Sequence, residues 1–185
     1  MKKVAVFCSA NETIKPIFFK ASQELGEFMA KNNFALVYGG CNMGLMECIA
    51  KAVKENGGHT IGVVPSKIEE WGKISDYVDE QVMVDNLSVR KDVMVEKSDV
   101  IVALPGGIGT LDEIFTVAAA ATIGYHKKHI ILYNIDGCWN KLIDMIEQLQ
   151  ADNFIRGNYR QYFTVVNDPE EMKKVLTNML QPSLF

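Results

Sequence analysis

A chain of 185 residues, 48% hydrophobic and 23% charged, is long enough to bury one sizeable core and ordinary in composition for a globular protein. Its formal net charge of −4 argues against a nucleic-acid partner held on a general basic surface, and no apolar run approaches the length that spans a bilayer. The opening Met1–Cys8 begins basic and turns apolar, but Asn11, Glu12 and Lys15 end that run too early for a secretory leader, so a first strand is expected there.

In chain order, Val4–Cys8 is a short apolar strand, and Pro16–Asn32 carries helical spacing through Ile17, Ala21, Leu25 and Phe28. Ala35–Tyr38 follows as a strand, Gly44–Asn56 as a helix closed by Gly57-Gly58, and Thr60–Val64 as a strand ending at Pro65. Ser66–Asp79 is polar and irregular, a loop with a short helix, and Gln81–Val84 is a further strand. Leu87–Lys97 is helical, Val100–Leu104 a strand and Thr110–Ile123 a helix. His129–Tyr133 and Phe163–Val166 complete the strands, with helices at Trp139–Ala151 and Pro169–Leu180. Strands apolar along their whole length, alternating with helices, predict an α/β fold: a doubly wound parallel sheet covered on both faces, in a single domain over residues 1–185. Ligands on such sheets gather at the carboxyl ends of the strands, which puts Ser9–Asn11, Gly39–Gly44 and Pro105–Thr110 on one rim.

Residues 104–115, Leu-Pro-Gly-Gly-Ile-Gly-Thr-Leu-Asp-Glu-Ile-Phe, are the most informative stretch. They join a buried strand to an Ala-rich helix, and Gly106, Gly107 and Gly109 let the backbone turn sharply and approach a ligand. The free amides of the new helix, around Ile108, point into that turn with the positive end of the helix dipole behind them. Thr110 adds a hydroxyl. Phosphate is the expected guest. Glu113, one helical turn in, has two readings: an acidic residue that favours the helix start, or a carboxylate set beside the sugar of a phosphorylated ligand.

A second glycine turn, Tyr38-Gly39-Gly40-Cys41-Asn42-Met43-Gly44, also joins strand to helix and is expected to offer amides and space from Gly39, Gly40 and Gly44. It lacks the G-x-G-x-x-G spacing of a dinucleotide fingerprint, and the chain has no P-loop. Arg90 and Lys91 stand adjacent early in the helix that feeds the strand before the glycine turn. They are either a solvated basic pair or a fork and point charge for phosphate and ribose. Cysteines 8, 41, 48 and 138 form no CxxC pair and no metal spacing with the histidines, so four reduced thiols in a cytoplasmic protein are expected, with Cys41 near the site.

Arg90-Lys91 with Pro105-Gly-Gly-Ile-Gly-Thr-Leu-Asp-Glu113 resembles the R-K … P-G-G-x-G-T-x-x-E signature of the Lonely Guy (LOG) family, cytokinin riboside 5′-monophosphate phosphoribohydrolases often labelled possible lysine decarboxylases. Tyr38-Gly-Gly-Cys-Asn-Met-Gly-Leu-Met46, Ile61-Gly-Val-Val-Pro65, Gly124-Tyr-His-Lys-Lys128 and Leu132-Tyr-Asn-Ile-Asp-Gly137 extend the similarity over roughly residues 4–180. The resemblance implies a Rossmann-like fold and a homodimer or larger assembly. It implies cleavage of the N-glycosidic bond of a nucleoside 5′-monophosphate, such as a cytokinin riboside monophosphate or AMP, with no cofactor and no metal. It makes Arg90 and Glu113 the catalytic pair. Gly106, Gly107, Ile108, Gly109 and Thr110 would hold the phosphate, with Lys91 in electrostatic support and Ser9, in place of the family's Cys-Gly-Ser-Ser turn, as a further ligand.

The usual Thr-Trp-x-Gln after the signature reads Ala119-Ala120-Ala121-Thr122 here, and Leu87 stands where a methionine is usual, so the preferred base is left open. A non-catalytic nucleotide-binding or signalling protein on the same fold is the alternative. An amino-acid decarboxylase is set aside, because the sequence offers no apparatus for pyridoxal phosphate.

Overall fold

The computed structural model describes residues 1–180; the domain expected over 1–185 includes positions 181–185, which lie outside the described residues. Seven strands, β1 (Lys2–Phe7), β2 (Phe34–Tyr38), β3 (Thr60–Pro65), β4 (Glu80–Val84), β5 (Val100–Ala103), β6 (Ile130–Tyr133) and β7 (Phe163–Val166), form one sheet in the order β4-β3-β2-β1-β5-β6-β7. All its pairings are parallel. The helices are α1 (Pro16–Lys31), α2 (Gly44–Glu55), α3 (Ser66–Glu70), α4 (Leu87–Glu96), α5 (Ile108–Thr122), α6 (Asn140–Ala151) and α7 (Pro169–Leu180).

Side chains alternate across a strand, and the core divides accordingly. Val4 and Val6 of β1 and Leu36 of β2 pack with Leu25, Met29, Ile49 and Leu176 from α1, α2 and α7. Ala5, Phe7, Val37 and Ile101 pack on the opposite face with Met94, Ile114 and Ile146 from α4, α5 and α6. Both faces are covered, so neither register of a central strand can be polar, which is why the strands read as unbroken apolar runs.

The chain lays strands outward from β1 to β4, then returns through α4 to place β5 on the other side of β1. The strand order therefore reverses between β1 and β5, and the connections leaving their carboxyl ends diverge to open a crevice. Val4 to Phe7 lie in register with Val100 to Ala103, so both strands end at one level. Beyond them, Leu104 N donates to Phe7 O at 3.0 Å and Ser9 N donates to Pro105 O at 3.0 Å, which stitches the two loops together.

The elements differ from the sequence reading at their ends. β1 begins at Lys2 because Asp99 accepts from Lys3 N at 2.8 Å and Lys2 Nζ at 3.1 Å, giving two polar residues a place on the strand. Single 3₁₀ turns at Ile135–Gly137 and Tyr159–Gln161 are too short to leave a periodic signal. Among the described residues no helix is long and apolar enough to cross a membrane.

Candidate active site

α5 starts at Ile108, two residues earlier than the sequence suggested, with Gly107 at its N-cap and no side chain capping it. The first amides of an α-helix have no partner within it, and here Gly107, Gly109 and Thr110 border an open cavity, with room for a Cβ at either glycine. Gly106 works differently, since its missing side chain makes room for the buried Thr110. The Ile108 side chain is 83% exposed, so only its main chain can face the turn.

Glu113 lies one turn further along α5 and is only 3% exposed. Arg90 reaches it from α4, donating from Nη2 to Oε1 in a buried ion pair. The start of α4 is fixed by Asn86, whose Oδ1 accepts from Ser88 N and Val89 N, both at 3.0 Å, and this sets where Arg90 emerges. Burial pushes the Glu113 carboxyl up to about 7, even though the Arg90 guanidinium pulls it down; Asp112 acts in the same direction as burial. Arg90 Nε is buried without a hydrogen-bond partner among the described residues.

These groups meet in a cavity of about 260 Å³ lined by Cys8, Ser9, Ala10, Met46, Arg90, Gly107, Gly109, Thr110 and Glu113. Ser9, Arg90, Glu113 and the glycine seat were legible as candidates; Cys8, Ala10 and Met46 were not singled out. Cys8 continues the alternation of Val4 and Val6 at the end of β1, which was the available signal. Its thiol is pushed up by burial first and by Glu113 second, so it forms a neutral wall.

The second glycine turn lies beside this cavity and does not line it. Leu45 N, in the first turn of α2, donates to Ser9 O at 2.9 Å, and Asn42 N donates to Lys73 O at 2.9 Å, so these amides are already committed. Gly44 has φ +57°, and a Cβ there would lie 2.5 Å from the Ala10 carbonyl carbon; Gly40, at φ +67°, lies equally close to Val64. Gly39 backs the guanidinium, with a Cβ position 3.1 Å from Arg90 Nη1. Gly39, Gly40 and Gly44 thus pack the loops that carry the site and stand outside the cavity wall. Cys41 is likewise outside it, bridged to Ile74.

Lys91 also lies outside the cavity. Its Nζ is held by the Asp112 carboxylate at 2.7 and 2.8 Å and by Thr116 Oγ1 at 3.0 Å, bracing α4 to α5. Of the cysteines, Cys8 and Cys41 are buried, Cys48 half-buried and Cys138 exposed, all as free thiols. No group of three or more His, Cys, Asp or Glu side chains among the described residues is placed to hold a metal ion.

The family model described as "Possible lysine decarboxylase" matches residues 46–176. A rice (Oryza sativa subsp. japonica) protein named probable cytokinin riboside 5′-monophosphate phosphoribohydrolase LOGL2 is 37% identical over 171 residues, covering 92% of this chain and 70% of the relative. Cytokinin riboside 5′-monophosphate phosphoribohydrolase LOG5 of Arabidopsis thaliana is 34% identical, covering 95% and 77%. The chain belongs to the LOG family. A solved structure titled as the molybdenum cofactor binding protein of Rippkaea orientalis superposes with a TM-score of 0.73 at 27% identity, covering 97% of this chain and 98% of that one. Within this LOG chain, Ala119 lies exposed on the outer side of α5 and contributes nothing to the cavity wall.

Proposed function

We propose that this protein hydrolyses the N-glycosidic bond of a nucleoside 5′-monophosphate, releasing the free base and ribose 5-phosphate. One observation carries the reading: a buried carboxylate, Glu113, stands one turn inside an open amide seat and is held near neutrality in its titration. The phosphate would accept from the amides of Ile108, Gly109 and Thr110, with the sugar lying against Glu113 and Arg90. As the C1′–N bond breaks, its electron pair leaves with the base, which takes a proton from solvent. The ribose gains oxocarbenium character that the Glu113 carboxylate stabilises. Water bonds to C1′ and gives its proton to the same carboxylate. Arg90, fixed on Glu113 through Nη2, orients the carboxylate against the sugar. The phosphate grip supplies the positioning, so a second carboxylate is not required.

The names of the relatives support this reaction, and cytokinin riboside monophosphates and AMP are the first substrates to test. A lysine decarboxylase reading gains no support from Lys91, whose ammonium is committed to Asp112. The likeness to a molybdenum cofactor binding protein and to a carrier protein favours a second reading, a non-catalytic nucleotide carrier on the same fold. The decisive experiment incubates the protein with AMP or isopentenyladenosine monophosphate and follows free base by chromatography. Hydrolysis predicts base release by wild type and its loss in Glu113→Gln with binding retained. Tight binding with no release from any nucleotide selects the carrier.

We also propose a homodimer through α5. Ile108, Phe115 and Ala119 are exposed along one side of that helix, with exposed Ile123 just past its end and exposed Leu87 and Val89 on neighbouring α4, an apolar stripe of the kind that marks an interface. Light scattering should give twice the chain mass, and Phe115→Glu should give the monomer.

A further inference from the structure

The crevice at the β1–β5 reversal holds more than the catalytic cavity. A second chamber of about 320 Å³ adjoins it, and Ser9 and Gly107 line both; Glu113 belongs only to the first and Trp139 only to the second. The glycine seat is therefore a partition with space on two sides. The second chamber has an apolar wall made by Ile14, Phe18 and the small exposed part of Trp139. Trp139 is fixed by two hydrogen bonds, from its N–H to Asn134 Oδ1 at 2.7 Å and from Nε1 to Ala103 O at 3.3 Å, and Phe18 and Ile14 flank the space. Asn11 adds a polar edge: its Oδ1 is held by Thr13 N and Oγ1, both at 2.8 Å, which leaves its amide N–H groups to face a ligand. The Lys15–Asp136 ion pair, at 2.6 Å, ties together the two loops that carry these walls.

A nucleoside monophosphate lying against Glu113, with its phosphate at the turn, would fill one side of the partition only. We infer that the phosphate at Gly107 acts as a bridge, and that the protein binds dinucleoside diphosphates with one nucleoside beside Glu113 and the ring of the other against Phe18 in the second chamber. The inference rests on the phosphate seat of the proposed function. A diphosphate diester carries two negative charges, the same as a monoester dianion, so the helix end meets an unchanged charge. This geometry differs from the G-x-G-x-x-G mode, because it straddles the α5 turn and makes no use of the turn at Gly39–Gly44.

Isothermal titration of the full chain with AMP and with diadenosine diphosphate tests the inference. Stacking of a second base predicts binding at least about tenfold tighter for the dinucleotide. Cys138→Trp, at an exposed position on the second chamber, should remove that gain and leave AMP affinity within about twofold. Phe18→Ala should weaken the dinucleotide severalfold and AMP not at all. Equal affinity for both ligands in the wild type, or parallel losses for both in the variants, overturns the inference. If AMP is hydrolysed while the dinucleotide gains nothing, the bridge fails alone; if no base is ever released, the hydrolase reading fails and the titration still decides the chamber.

Discussion

The pH at which the site works should be set by Glu113. Its carboxyl is held at about 7 by burial, against about 4.3 for a solvated glutamate. If the ionised form is the active one, the competent fraction of free enzyme is roughly one-tenth at pH 6, half at pH 7 and nine-tenths at pH 8. The value of kcat/KM should then rise about tenfold from pH 6 to pH 8, where a solvated glutamate would give a flat profile. The second ionisation of the nucleotide phosphate, near 6, adds no more than about twofold over that range. Initial rates of base release from AMP at constant ionic strength would define the limb. Arg90→Met removes the cation that favours the carboxylate, so the limb should move to higher pH as the rate falls. A midpoint near that of an ordinary glutamate would show that burial does not control the group. A rate that falls with rising pH through neutrality would show that the protonated carboxyl acts, and would reverse the assigned role.

Gly107→Ala should fold normally, because a Cβ there meets nothing within 4 Å, yet raise KM for AMP severalfold by crowding the seat; thermal melting and steady-state kinetics separate the two effects. Gly44→Ala should act in the opposite way. The positive φ and the overlap with Ala10 together cost roughly 2–4 kcal/mol, read from the denaturant midpoint. Lys91→Met should cost under about 1 kcal/mol, since Asp112 is half exposed, and should lower kcat/KM less than tenfold; a loss as large as that of Glu113→Gln would return Lys91 to the site.

The sheet was legible because a parallel sheet covered on both faces forces unbroken apolar strands, and the α5 turn because its glycines sit between a buried strand and a helix. The pairing of Arg90 with Glu113 was available only through resemblance: the residues lie on different helices, and nothing in their spacing brings them together. Lys91 supports the site only through its charge: adjacent residues on a helix point in different directions, so one of the basic pair faces the cavity while the other braces α5 and acts on Glu113 at a distance. The place of Gly39–Gly44 beside the cavity was hidden for a different reason. A strand–glycine–helix connection looks the same whether its amides are free or taken, and only the fold shows Ser9 O capping α2. The second chamber had no sequence signature, since Asn11, Phe18 and Trp139 come from separate loops and helices.

The buried pair itself argues for chemistry over architecture. Replacing a buried ion pair with apolar side chains is often neutral or stabilising, and an unpartnered buried N–H costs about 1–3 kcal/mol on top. Arg90 carries both liabilities, so a scaffold needed only to bind phosphate would gain stability from apolar residues at positions 90 and 113. The double variant Arg90→Met/Glu113→Leu is accordingly expected to melt no lower than the wild type and to bind AMP through the α5 amides, while releasing base more slowly by a factor of about a hundred or more. Calorimetric melting, titration with AMP and chromatography of the products read the three outcomes separately. A double variant that unfolds would make the pair a structural element. One that folds and still hydrolyses AMP at the wild-type rate would move catalysis to another part of the cavity.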